Sequence, residues 1–246
     1  MADRNIENLE EISKGYFNLP IKNNPNALEV WTMLYDRQYF NLKDKAYSLF
    51  FDGLNQLSIN GQCIPKVNDL SAIIYEKTGW TLSPTHIEYT GADDWFRHLE
   101  EKNFVITEVI RSKENIDYTP YPEAFHDIFG HLALMCFQEY AQIVHRFGVI
   151  YNQLRTKKEK KEFANFWWYV IEFGLMMEDS QMKAFGAGLL SSFGECNNAF
   201  SDNVILRSFD INEMKNTPVS AHEFHQKLFV IESFDQINEA LDGWEP

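Results

Sequence analysis

The chain of 246 residues is 45% hydrophobic, enough for one sizeable core, and its length argues for a single domain. Its 36 acidic and 22 basic side chains leave a net charge of −14, a field that repels phosphate backbones and anionic lipid surfaces, so neither nucleic acid nor membrane is an expected partner. The three cysteines, Cys63, Cys136 and Cys196, show no CxxC spacing and read as buried thiols in a reducing compartment.

The amino terminus MADRNIENLEE has no basic-then-apolar leader, and no run approaches the ~20 apolar residues that span a bilayer, so the expected location is cytoplasmic. Residues 1–28, polar and broken by Pro20 and Pro25, read as an arm ahead of one domain over 29–246. From Val30 to Leu57, apolar residues recur at helical spacing and predict one or two amphipathic helices. Asn68 or Asp69 is placed to cap a short helix that Gly79 stops.

FVITEVI, residues 104–110, alternates and is β-branched, which predicts a strand in a small sheet. Ser112 to Pro122 reads as loop. A helix is expected beyond Pro122, through His131, Leu134, Met135, Tyr140 and Ile143. KKEKKEF at 157–163 reads as a solvated helix start leading into the apolar FANFWWYVIEFGLMM. The predicted class is α+β and mainly helical, with no internal repeat.

HDIFGH sets His126 and His131 five residues apart, where a regular α-helix would turn their side chains about 140° from one another. The two imidazoles can converge if His126 sits at the helix entry with its backbone free. Glu172 lies among aromatic and aliphatic neighbours, where a lone carboxylate is costly unless it meets a cation. Two imidazoles and one carboxylate form the facial triad of non-haem iron(II) oxygenases, and zinc hydrolases use the same ligand types. The absence of HExxH argues against the usual zinc-protease arrangement.

YTPYPEAFHDIFGH, WWYVIEFGL and KAFGAGLLSSFGE, in that order and followed by IESF, resemble the catalytic domain of the pterin-dependent aromatic amino acid hydroxylases over residues 30 to 235. The resemblance implies that His126, His131 and Glu172 hold iron(II) while tetrahydrobiopterin and dioxygen meet beside it, and that an aromatic L-amino acid is hydroxylated on its ring. Arg111 matches the arginine that clamps the substrate carboxylate, a role suited to a guanidinium. Thr119, Pro122, Trp168, Phe173 and Ser191 match positions that shape the amino acid pocket, and Ala221 and His222 are placed near it. Ser191 corresponds to a hydroxyl beside the substrate carboxylate and a ligand histidine, and Gly186 and Gly188 to a close backbone approach. Trp95 matches an aromatic that stacks on the pterin, and Asp127 a glutamate near it.

The chain departs from the family pattern at Ala133, where proline is usual, at Val105, where many members have histidine, and at Tyr121, a common glutamate position. The resemblance implies a minimal, monomeric enzyme without regulatory or tetramer-forming segments, acting on phenylalanine first and tryptophan second. His86, His98, His145, His222 and His225 read as structural or exposed. A zinc hydrolase on the same ligands and a non-catalytic amino acid or pterin binder are the rival readings.

Overall fold

Why the apolar spacing becomes helix is plain in the first two: α1 (Ala27–Leu42) buries Val30, Trp31, Leu34 and Leu42, and α2 (Ser48–Gln56) buries Phe50 and Leu54. The structure, a computed structural model, describes residues 18–86, 91–117, 119, 121–221 and 223–244. His222 and residues 1–17 of the predicted arm lie outside the described residues. Helix α3 (Val67–Thr78) stops at Gly79, whose φ of 74° is left-handed, as expected. Its start falls earlier than expected, after Lys66, so Asn68 and Asp69 lie in its first turn and neither is the cap. Asp69 there faces the positive end of the helix dipole.

The stretch read as one strand is two. β3 (Asn103–Thr107) pairs in parallel with β2 (Thr81–Thr85), and α4 (Ala92–Glu100) connects them. β4 (Val109–Arg111) pairs antiparallel with β1 (Asn18–Pro20), so the end of the predicted arm is part of a sheet. The switch is made at Glu108, whose amide donates to Thr85 O at 2.7 Å while its carbonyl accepts from Ile21 N at 3.0 Å. Alternation alone could not show it, because both halves keep the same period and only their partners differ.

The helix expected beyond Pro122 begins at Ala124 and passes through a π-helical stretch, His126–Leu132, before the short α5 (Ala133–Met135). Extended backbone at Phe137 (φ −103°, ψ 124°) separates it from α6 (Gln138–Gln153). Helix α7 (Lys157–Trp167) starts at the charge cluster as expected, held by a reciprocal capping box between Thr156 and Glu159. A second π-helical stretch, Trp168–Glu172, continues it.

The remaining chain builds a four-stranded sheet that the sequence reading did not anticipate. Its order is β6 (Gln181–Ala184), β5 (Leu175–Glu178), β8 (Lys227–Ile231), β7 (Ile205–Ser208), with a β5–β6 hairpin and parallel pairs β5–β8 and β7–β8. Helices α8 (Ala187–Ser191), α9 (Phe193–Ala199), α10 (Ile211–Asn216) and α11 (Phe234–Asp242) complete an α+β, mainly helical fold. Among the described residues no helix is long and apolar enough to cross a membrane. Cys136 and Cys196 are buried, whereas Cys63 is exposed, against the expectation of three buried thiols.

An aromatic wall sits behind the first π-helical stretch. Phe125 and Phe129 stack at 4.7 Å, with Trp31 edge-on to the first at 5.3 Å and Phe50 edge-on to the second at 5.2 Å. This wall clamps one face of the turn and leaves the histidine face to point elsewhere. Because the Thr156 hydroxyl accepts from Glu159 N at the start of α7, Thr156→Ala is expected to lower unfolding stability by about 1 kcal/mol with unchanged urea dependence.

Candidate metal and substrate site

A π-helix closes i→i+5 hydrogen bonds, so residues five apart come to lie on one face, one turn above the other. That removes the divergence of His126 and His131 expected in an α-helix. Their Nε2 atoms are 3.2 Å apart, and the rings cross at 87°. His126 is not at a free helix entry: Phe125 before it is already helical, at φ −67° and ψ −44°, and the wider turn is what aims the ring.

Glu172 ends the second π-helical stretch, with Oε1 3.4 Å from His131 Nε2 and Oε2 3.5 Å from His126 Nε2. An ion about 2.1 Å from three donors spreads them roughly 3.0 Å apart at right angles and about 3.4 Å apart at tetrahedral angles. Separations of 3.2 Å between the imidazoles and of 3.4 and 3.5 Å from them to the two Glu172 oxygens are on the scale that one ion touching all three groups requires. Among the described residues this is the only cluster of at least three such ligands.

The hydrogen bonds behind the ligands fix their chemistry. Ser191 donates its hydroxyl hydrogen to Ala187 O at 2.8 Å, so it must accept from His126 Nδ1, 2.9 Å away. The His126 hydrogen is then on Nδ1, and its Nε2 lone pair faces the ion position. Trp167 Nε1 donates to Glu172 Oε1 at 3.1 Å and holds the carboxylate. Burial by itself would raise the Glu172 carboxyl, but the His131 and His126 imidazoles outweigh it and hold it well below the usual carboxylate range. Burial pulls His126 down, and Glu172 more than reverses this. The arrangement draws positive charge into the space between the three groups.

Glycines let the second π-helical stretch and α8 approach. A Cβ on Gly186 would lie 2.4 Å from Glu172 O, and one on Gly188 2.5 Å from the Phe173 ring.

Arg111 is buried and bound to a fully buried Glu123, Nε to Oε1 at 2.6 Å and Nη2 to Oε1 at 2.5 Å, with Nη1 donating to Ile116 O at 3.2 Å. Three of the five guanidinium N–H groups are thereby occupied, which leaves one on each Nη nitrogen for a carboxylate. Thr119 donates to Asn18 Oδ1 at 3.0 Å, and Asn18 is the strand partner of Arg111 across β1 and β4. Pro122 is exposed and directly precedes Glu123.

Trp168 is half-buried with Phe173 against it, ring centroids 4.9 Å apart. Trp95 is also half-buried, edge-on to Phe104 at 5.1 Å and to Trp167 at 6.3 Å. Phe104 in turn packs on His131 at 5.1 Å, so Trp95 lies one residue out from two of the ligands. Asp127 accepts from Thr107 N at 2.7 Å, and burial pushes its carboxyl upward. Of the departures noted in the sequence, Ala133 and Val105 are buried, and Tyr121 is half-buried beside Thr119.

Glu123 and Trp167 were missed by sequence reasoning. Glu123 carries the signal that exposed Glu172, an acid entering an apolar run, but only the fold shows its arginine. Ser191→Ala is expected to weaken metal affinity about 10–100-fold by releasing the His126 ring, measured by competition with a chelator. Unchanged affinity would mean that Ser191 does not orient the ligand.

A family model described as "Biopterin-dependent aromatic amino acid hydroxylase" matches residues 18–245. The phenylalanine-4-hydroxylase of Vibrio cholerae is 30% identical over 209 residues, covering 85% of this chain and 72% of that protein. Among solved structures, Chromobacterium violaceum phenylalanine hydroxylase with bound oxidised Fe(III) superposes with a TM-score of 0.86 at 28% identity, covering 97% of this chain and 90% of that one. The same enzyme with iron(III) and oxidised 7,8-dihydrobiopterin gives 0.85 at 27% identity, covering 98% and 90%. A match that spans the described chain and takes in every ligand of the candidate ion makes this protein a member of the biopterin-dependent aromatic amino acid hydroxylase family.

Proposed function

We propose that this chain hydroxylates the ring of an aromatic L-amino acid, converting phenylalanine to tyrosine with iron(II), a tetrahydropterin and dioxygen. The observation that carries the reading is the convergence of His126, His131 and Glu172 on one ion position, a donor set suited to iron(II) with open positions opposite. When bound, iron and pterin together supply the activation of dioxygen that the side chains alone cannot perform.

The protein's own residues do the binding and orienting. Arg111, charged and held rigid by Glu123, offers its two remaining N–H groups to the substrate carboxylate. Trp168 and Phe173 give the substrate ring a flat wall. Trp95 presents an aromatic face to the pterin, and Asp127 adds a buried acid on the β3 side. Thr119 and Pro122 border the carboxylate end, and Ser191 holds the His126 tautomer.

Relatives named phenylalanine-4-hydroxylase favour phenylalanine over tryptophan as the substrate. A zinc hydrolase would share the ligands but has no use for a carboxylate clamp or a pterin-stacking tryptophan. The deciding assay supplies iron(II), a tetrahydropterin and each aromatic amino acid in turn, identifying products by mass and retention. Oxygen uptake should require both pterin and amino acid, and a metal-dependent hydrolysis without either would refute the proposal.

Glu172→Ala should abolish product and release the metal. Full activity in that variant would remove Glu172 from the ligand set. Arg111→Lys keeps a cation beside Glu123 but loses the planar fork, so the amino acid KM should rise about tenfold or more with kcat little changed.

A further inference from the structure

Outside the ligand set and the residues just assigned, one buried imidazole among the described residues has both ring nitrogens committed. His225, 7% exposed in the segment before β8, lies between Glu195 of α9 and Trp168. Its Nδ1 is 2.9 Å from Glu195 Oε1, and Trp168 Nε1 is 2.8 Å from its Nε2. An indole N–H can only donate, so His225 Nε2 must accept, and its hydrogen sits on Nδ1, directed at the carboxylate. Glu195 also faces the His225 backbone amide, with both oxygens at 3.4 Å, and Asn198 donates to His225 O at 2.7 Å. The ring lies over Phe173 at 4.0 Å with 31° between planes, and Tyr169 meets it edge-on at 6.1 Å.

This chain of bonds ends on the two rings that form the proposed substrate wall. Trp168 has one polar side-chain atom, and the bond to His225 uses it, so the indole cannot turn without breaking that part-buried hydrogen bond. Phe173 is held between Trp168 at 4.9 Å and the imidazole at 4.0 Å. A wall fixed in this way discriminates between a benzene and an indole side chain by shape; a wall free to rotate would not.

We propose that Glu195 and His225 form a positioning pair that locks Trp168 and Phe173, and that this lock sets which aromatic amino acid the pocket accepts. The inference rests on the hydroxylase reading above. Neither residue touches the substrate; both act through the two rings.

The test compares His225→Phe, which keeps a ring over Phe173 but makes neither hydrogen bond, with His225→Gln, whose amide can accept from Trp168 and donate to Glu195. Each is assayed in the iron-loaded full chain with phenylalanine and with tryptophan, beside wild type. His225→Phe should raise the KM for phenylalanine about tenfold and change the phenylalanine-to-tryptophan preference by a similar factor, the scale of one lost hydrogen bond. Metal content and the pterin KM should stay within about twofold, which a collapsed site would not allow. The Trp168 indole N–H resonance, assigned by its loss in Trp168→Phe, should lose its protection from exchange in His225→Phe and regain it in His225→Gln together with the substrate preference.

Wild-type KM and preference in a folded His225→Phe would overturn the proposal, as would equal impairment of His225→Phe and His225→Gln. If His225→Phe does not fold, His225→Asn, too short to reach Glu195 and Trp168 together, replaces it with the same expectations. A wild-type protein that hydroxylates neither amino acid would instead refute the underlying reading, and the indole resonance would still report whether the lock exists.

Discussion

Two imidazoles five residues apart must meet a carboxylate from another part of the chain, and an α-helix cannot present that pair on one face. Two π-helical stretches, His126–Leu132 and Trp168–Glu172, resolve the conflict and carry all three ligands. Such turns are intrinsically uncommon, so the surroundings have to impose them. The Phe125–Phe129 stack grips one turn from behind, and the glycines at 186 and 188 admit α8 against the other. Ser191, on that same α8, then reaches His126. Aromatic core, glycine spacing and ligand geometry are thus parts of one mechanical solution.

Among the described residues, three of the four buried acids in and around this site, Asp127 being the fourth, are satisfied in different ways. Glu123 meets the fixed positive charge of Arg111. Glu195 meets an imidazole that offers it an N–H, because the other nitrogen of His225 is committed to Trp168. Glu172 meets His126 through a nitrogen whose hydrogen has gone to Ser191, so a lone pair and a carboxylate oxygen face each other at 3.5 Å. Such a contact is repulsive unless a cation lies between the two. The same residue types therefore form an arginine's ion pair, an imidazole's acceptor and a candidate metal site, and what separates them is where each hydrogen is held.

Much of this was legible in the residues. The apolar spacing of α1 and α2, the Gly79 stop and the solvated start of α7 appear as read. The triad was found because an acid inside FWWYVIEFGL has no cheap resting state in an apolar core. The ordered blocks around it led to the family, and the family model and structural neighbours agree. The division of residues 103–111 between two sheets was hidden, since alternation reports which face is buried and says nothing of which strand lies alongside. The four-stranded sheet was hidden for a related reason: its parallel pairs join residues 175–176 to 230–231 and 205–208 to 227–230, contacts with no local signature.

By itself, then, the sequence determined the helical periodicities, the candidate ligands and the family. Tertiary structure decided how those groups converge, since hydrophobic periodicity does not mark where a helical turn widens and the packing against it does. It also decided the partners of Arg111 and His225, because Glu123, Glu195 and Trp168 are brought to them by folding, and a hydrogen's position on an imidazole depends on which neighbour arrives.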